Sequence, residues 1–429
     1  MLASLGFCGG ISLVIHFAHL ADVHLGAFRD SKLRELNLEA FKRCLTECIE
    51  ARKRGALDFI VIAGDLFHVA LPEMRIVDEA TKAMKAASDA GLRLYLVYGS
   101  HDYSPTAASI IDVLASAGVL RKIHSDDAAH PEIVVDEATG ALLAGACARS
   151  LGLEASFFEK ANWSEFERAT PPKIFVFHSA IDEHKPSFLA CSEGIPLARF
   201  PKGCAYYAGG HVHSRAEIDE TARGYGKIVF PGPLFAADYR DLEQASRESP
   251  GYYVVEISGG TPRIEFKPVR LADVVSIEFN AAGKSAFEVN RELLEKTSVI
   301  DAAGKIVLLR VFGVLREGKP SEVDFASVRK AFVEQGVKTV CINHAQLAAR
   351  EAVVQRAQGA SRSEIEERVF ASAAAAFKTK NAFLKENSVQ IARELLRVLS
   401  CQRFEEVKEK KADYEARLVR EASKILRLV

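Results

Sequence analysis

Five times along this chain a short, uninterrupted apolar run stops at a cluster of glycine, aspartate and histidine. The run at 12–20 leads into Asp22 and His24, and DFIVIA at 58–63 leads into Gly64, Asp65 and His68. LRLYLVY at 92–98 leads into Gly99, Ser100, His101 and Asp102. KIFVF leads into His178, and AYYAG into Gly210, His211 and His213. Such runs are strands covered on both faces, and strands of that kind joined by helices build a parallel sheet between helical layers. The stretches between them have a helical period. The helix expected at 32–53 puts Leu33, Leu36, Phe41, Cys44, Leu45, Cys48 and Ile49 on one face. Those at 73–90 and 106–117 close at Gly91 and Gly118. In α/β proteins the strand ends are where sites form.

Further strands are expected at 132–136, 141–147, 173–178, 205–209, 227–230 and 252–257, spaced as in a mixed or antiparallel second sheet. Beyond 270 the polar clusters stop. A strand at 305–315, a helix at 321–335 with Val323, Phe325, Val328 and Phe332 inward, and a strand at 338–343 describe a small α+β unit. From about 350 the chain is helical and charged, with 16 Lys/Arg against 12 Asp/Glu over 351–429. Its amphipathic stretches fall at 388–399 and 417–429, the second aligning Leu418, Val419, Ala422, Ile425, Leu426 and Val429. The 429 residues thus divide into segments 11–270, 271–347 and 348–429.

Composition narrows the function classes. Fifty-six Lys+Arg against 57 Asp+Glu leave a net charge of −1, so nucleic acid would have to meet a local basic patch. Residues 1–10 read as an extension lacking the basic start of a secretory leader. No stretch approaches the roughly 20 apolar residues of a membrane span. Eight scattered cysteines without a CxxC suit a reducing cytoplasm.

Histidine and aspartate, with no cysteine among them, are donors for Mn(II), Fe(II) or Zn(II) rather than for a thiolate zinc site. D-x-H or H-x-H just past a strand can direct both side chains into one cavity, and neighbouring glycines let the backbone turn and approach. One such motif by itself usually marks a turn, and His178 alone would be a core histidine. Five in succession, each ending a strand, make a metal site the stronger reading. The donors suffice for two ions sharing an aspartate, an arrangement that clamps a phosphate and generates a nucleophile from water. Cys44 and Cys48, four apart on a helix, have apolar neighbours and read as core. His16, His19, His124, His130, His184 and His344 fit no cluster.

D-x-H, GD, G-S-H-D, H and G-H-x-H, in that order, resemble the signature of the calcineurin-like metallophosphoesterases. The DFIVIAGDLFH run and YYAGGHVH followed by PGPL resemble, more narrowly, the nuclease subunits of the DNA double-strand-break repair complex in their archaeal and bacterial exonuclease-D form. The motifs cover 13–235; the likeness over 272–346 is weaker, and the tail is similar only in character. The resemblance implies an α/β fold, a sandwich of two mixed β-sheets flanked by helices (α/β/β/α), with a small α+β cap and a helical C-terminal tail. It implies that Asp22, His24 and His213 bind one metal, that Asp65 bridges, and that His178 and His211 bind the second. It makes His101 the catalytic histidine, oriented by Asp102, and puts His68 close to the substrate path. Ser100 stands where the family has an asparagine ligand. Its hydroxyl is a shorter and weaker donor, so either it reaches the metal through water or the second position is weak, and the demand for Mn(II) should be greater.

The implied activity is two-metal hydrolysis of DNA: 3′-to-5′ exonuclease and single-strand endonuclease action on ends, without sequence readout. The loops at 72–75 and 103–106 and Arg215 border the motifs and are candidate backbone contacts. Implied partners are DNA ends, a coiled-coil ABC-type ATPase bound by the C-terminal helices, and a second copy of the chain through helices 73–90 and 106–117. The implied location is cytoplasmic, at the nucleoid. Two alternatives remain open on the residues alone. One is a metallophosphoesterase of small phosphodiesters or phosphoproteins; the other is a weakly active scaffold marked by Ser100.

Overall fold

The computed structural model describes residues 14–103, 108–125, 127–148, 154–170, 172–189, 194–259, 262–349, 367–371, 373–374, 381–400 and 411–427. The extension at 1–10, the first residues of the 12–20 run, positions 104–107 and Val429 lie outside them. In chain order the first elements are β1 (Ile15–Leu20), α1 (Ser31–Lys53), β2 (Phe59–Ala63), α2 (Met74–Asp89), β3 (Arg93–Val97), α3 (Ile110–Ser116) and β4 (Arg121–Lys122). Next come β5 (Ile133–Val135), β6 (Leu142–Ala146), α4 (Glu154–Lys160), α5 (Ser164–Arg168), β7 (Lys173–His178) and β8 (Tyr206–Gly210). They are followed by β9 (Ala216–Asp219), β10 (Lys227–Phe230), α6 (Tyr239–Ala245), β11 (Gly251–Ile257) and β12 (Arg263–Pro268).

Local chemistry sets the boundaries. Asp30 caps α1 by accepting the Leu33 N–H at 2.9 Å, and the helix begins at Ser31, one residue ahead of the expected start. The helix buries Leu33, Leu38, Phe41, Cys44, Leu45 and Cys48, so both cysteines are core, as expected. α3 begins at Ile110 rather than 106 because Ser109 and Asp112 form a capping box.

Two six-stranded mixed sheets result, the α/β sandwich expected from the motifs. The first runs β12-β11-β1-β2-β3-β4 and the second β5-β6-β7-β8-β10-β9. In the first, β1 to β4 are parallel and β11 pairs antiparallel with β1, Phe17 opposite Val255. In the second, β6, β7, β8 and β10 are parallel with antiparallel strands at both edges. The strand at 251–257, grouped above with the second sheet, belongs to the first. Its pairing with β1 closes over more than 200 residues and leaves no local trace in sequence.

One core cluster fills the space around the first sheet and reaches Val176, Tyr206, Ala208 and Val229 of the second. Phe17 meets Tyr206 edge to face at 5.3 Å between ring centres. A second cluster, rich in aromatics (Trp163, Phe166, Phe175, Phe177, Phe200, Phe230), covers the other face of the second sheet beneath α4 and α5.

By their internal contacts the residues form two units. The first holds Met1–Ile277, Ile300–Leu309 and Arg329–Ile342; the second holds Glu278–Val299, Arg310–Val328 and Asn343–Val429. The later elements are β13 (Val274–Asn280), α7 (Ala286–Val299), β14 (Ile306–Leu315), α8 (Phe325–Glu334) and β15 (Thr339–Ala349), and the three strands form a small sheet in the order β13-β14-β15. The helix expected from 321 is divided: a 3₁₀ turn at Pro320–Glu322 precedes α8. Val323, Val328 and Phe332 are buried as expected, and Phe325 is half-buried against His344. In the tail, helix Ser388–Leu399 has its expected limits, and helix Lys411–Ile425 starts six residues before the expected one.

Candidate metal centre

Every motif residue sits at the carboxyl end of a parallel strand. β1 delivers Asp22 and His24, β2 delivers Asp65 and His68, and β3 delivers Ser100, His101 and Asp102. β7 ends on His178, and β8 runs directly into His211 and His213. The two sheets come together at glycines. A Cβ on Gly64 (φ +82°) would stand 2.2 Å from His178 Nδ1, and one on Gly210 would stand 1.8 Å from the Ala63 carbonyl oxygen. Only hydrogen in place of a side chain lets these strand ends meet.

The backbone is strained where it turns the ligands inward. Among the described residues six non-glycine positions have left-handed φ, and four of them are Asp22 (50°), His24 (47°), Asp65 (51°) and His211 (80°). Each costs on the order of 1–3 kcal/mol, and such strain persists only where the surroundings impose it.

Two groups of donors result. Asp22, His24 and His213 form one, and Asp22, Asp65 and His178 the other; within each, one donor atom per residue lies within 4.8 Å of the rest. Asp65 Oδ2 lies 3.5 Å from His24 Nε2 and 3.3 Å from His178 Nε2, between the two groups. The His211 ring lies 5.3 Å from that of His178, and its backbone N–H donates to Asp22 Oδ1 at 2.9 Å. His24 Nε2 and His213 Nε2 are 3.2 Å apart. Asp22, His24, Asp65 and His178 are at most 2% exposed.

The electrostatics suit cations. Asp22 Oδ2 and His178 Nε2 are buried without a hydrogen-bond partner, an arrangement that costs free energy unless something charged completes it. Burial holds His24 down to about 3 and His211 to about 4, so both present lone pairs at neutral pH. For His178 burial acts downward, but the Asp65 and Asp22 carboxylates override it and hold it up at about 10. Asp65 is pulled well below the usual carboxylate range: burial, the largest single influence, would raise it, but His178, His24 and the His101 N–H together outweigh it. Buried imidazoles and carboxylates around one carboxylate form a donor set for two divalent ions. Because the ligands must be deprotonated, metal uptake competes with protons.

The third motif lines the open side. His101 is exposed, and its Nδ1 donates to the His68 carbonyl oxygen at 2.7 Å, leaving Nε2 free. The His68 ring stacks on it at 5.2 Å, and His68 Nδ1 lies 3.4 Å from His24 Nδ1, so His24, His68 and His101 make a third cluster. Asp102, expected to orient His101, instead accepts backbone N–H groups from Leu66 (3.4 Å), Phe67 (3.2 Å) and Gly99 (2.9 Å). It ties the second motif loop to the third, and the carbonyl of His68 holds the His101 ring. Ser100 donates its hydroxyl to Asp65 Oδ2 at 3.3 Å, beside the His101 N–H at 2.8 Å on Oδ1.

Other residues are placed elsewhere. His19 is buried against the Tyr206 hydroxyl, His130 pairs with Asp127 and His184 with Glu220. Of the expected backbone contacts, Arg75 pairs with Glu73, and Arg215 pairs with Glu248 beneath its stack on Phe266. One functional candidate escaped the motif reading. Asp241 in α6 accepts from His213 Nδ1 at 2.9 and 3.1 Å. It lies 28 residues from His213, and its only sequence sign is its place after PGPL.

Residues 15–215 match the family model described as calcineurin-like phosphoesterase. The chain is similar to the DNA double-strand break repair protein Mre11 of Methanopyrus kandleri, 28% identical over 307 residues, which covers 68% of this chain and 65% of that protein. Mre11 of Methanococcus maripaludis is 23% identical over 253 residues, covering 57% and 64%. Mre11 of Methanocaldococcus jannaschii is 24% identical over 313 residues, covering 71% and 78%. The chain spans just under two thirds of the length of the first two relatives. Among the described residues no helix is long and apolar enough to cross a membrane.

Proposed function

We propose that this chain, which belongs to the calcineurin-like metallophosphoesterases and is distantly related to Mre11, is a two-metal nuclease that hydrolyses phosphodiester bonds at DNA ends. The observation that carries the reading is the pair of Asp/His groups that share Asp22, with Asp65 Oδ2 within 3.5 Å of His24 in one and 3.3 Å of His178 in the other. Asp22, His24 and His213 would hold one divalent ion, His178 and His211 the other, with Asp65 between them and Ser100 bracing Asp65. Bound ions, Mn(II) foremost, supply charge neutralisation of the phosphate and a nucleophile from water.

The protein's own groups do the rest. His101 offers Nε2 on the exposed edge while the His68 carbonyl fixes its ring, so it can carry a proton to the departing oxygen. His68, stacked on it, limits its swing and borders the substrate path. Burial of the donors beneath an exposed histidine suits a substrate that arrives from outside by its phosphate.

The tail reads as the docking element for a coiled-coil ABC-type ATPase, because Leu396, Leu399 and Val419 stay exposed on its helices. The exposed Val69, Leu71 and Met74 before and at the start of α2, with Val113 on α3, support a homodimer contact. Segment 271–347 would act as the DNA-facing cap.

The test is hydrolysis of end-labelled duplex, single-stranded DNA, bis-p-nitrophenyl phosphate and a phosphopeptide with Mn(II), wild type against His101→Ala. The reading expects Mn(II)-dependent DNA cleavage that falls about 10²–10⁴-fold in the variant. Turnover confined to the small ester or the phosphopeptide would place the chain with other metallophosphoesterases, and no turnover at all would leave it a scaffold.

A further inference from the structure

We propose that Asp241 is a positioning residue that makes the two metal positions unequal, the Asp22/His24/His213 position being the tight one. The proposal rests on the dimetal reading above and deepens it.

The side chain of Asp241 is 1% exposed. Both its oxygens face His213 Nδ1, at 3.1 and 2.9 Å, and Oδ2 also accepts the Ala237 N–H at 2.8 Å. Its own N–H is held at 3.0 Å by Asp238 Oδ1, the cap of α6. The carboxylate is therefore clamped from several directions. A carboxylate on Nδ1 requires the hydrogen there, so the His213 lone pair is left on Nε2. That nitrogen lies 3.7 Å from Asp22 Oδ1 and 3.2 Å from His24 Nε2.

The other side of the centre is built differently. His178 is oriented by a neutral group, the Ala63 carbonyl oxygen at 2.8 Å from Nδ1. A carboxylate makes the imidazole it holds a better donor and adds a negative charge near the ion, which a carbonyl does not. That difference favours the Asp241 side.

A plainer role for Asp241 is structural, as an acidic residue in the first turn of α6 receiving the Ala237 N–H. The two roles part on charge. Asp241→Asn keeps size and a carbonyl oxygen but removes the charge and lets the amide face His213 with the wrong group. Asp241→Glu keeps the charge.

The experiment titrates Mn(II) into ion-stripped full-length protein and follows free Mn(II) by electron paramagnetic resonance, with thermal melting alongside. Wild type should take up two equivalents, one tight and one weak. Asp241→Asn should weaken the tight equivalent about 10–100-fold and leave the weak one in place, with Asp241→Glu restoring part of the loss. An isotherm of Asp241→Asn equal to wild type overturns the proposal. So does equal weakening of both equivalents by both variants together with a lowered melting temperature, which would make Asp241 a structural residue only. A wild-type chain that takes up no Mn(II) overturns the dimetal reading as well, so the two failures are told apart.

Discussion

The strand-end centre and the C-terminal helices are built from opposite kinds of contact. At the centre, groups far apart in the chain hold one another: the His211 N–H reaches Asp22 across 189 residues, and His178 reaches the Ala63 carbonyl across 115. The groups are buried, and the backbone is bent into left-handed turns to bring them there. Among the described residues of the tail the polar contacts are mostly one turn long, such as Gln390 to Glu394 and Lys424 to Glu421, with one longer ion pair from Arg393 to Glu367. Of the side chains described there only Ile391 is buried, while Leu399 is 59% and Val419 66% exposed. A site over-determined by distant contacts keeps its geometry whatever it binds. An amphipathic helix pair with apolar side chains in water is completed by something else.

That contrast can be broken most severely at Asp65. Losing a group that merely supports a metal ligand costs about 10–100-fold. Asp65 stands between both donor groups, so Asp65→Asn should reduce Mn(II)-dependent hydrolysis of bis-p-nitrophenyl phosphate by more than about 100-fold. A variant within tenfold of wild type would mean the two groups do not act through that carboxylate.

Gly64→Ala tests whether the strand ends need their close approach. A left-handed φ with a side chain, added to a Cβ 2.2 Å from His178 Nδ1, should cost about 2 kcal/mol or more of stability in denaturant unfolding. Unchanged stability would show that the junction relaxes freely. Removal of 388–429 probes the other region. Partner binding should be lost while hydrolysis of the small ester stays within twofold, and loss of both would make the tail part of the catalytic fold. Ser100→Asn has the smallest expected effect, a few-fold tighter second Mn(II) with a matching fall in the Mn(II) needed for half activity. Equal metal demand in both proteins would refute the reading of Ser100 as a weak substitute.

The two regions also differ in how far the sequence announces them. The strand-end motifs were readable because an apolar run that ends in Asp, His and Gly is a local pattern, and all five coincide with a parallel strand end. Helix 388–399 was readable for the same reason, a period of 3.6. What escaped depends on distant partners. β11 pairs on one side with its sequence neighbour β12, but on the other with β1, from the far end of the chain. β9 and β12 are half-exposed, and their alternating polar residues dilute the apolar signal. Two-residue β4 has no pattern at all. Asp241 is an ordinary helical acid until α6 swings it under His213, and the target of Asp102 is set by where three backbone N–H groups point.

The most direct measurement is anomalous diffraction from crystals soaked in Mn(II). The account predicts two peaks about 3.5–4 Å apart, one against Asp22, His24 and His213, the other against His178 and His211, with Asp65 between them. A single peak away from Asp65, or none within coordination distance of these histidines, would contradict it.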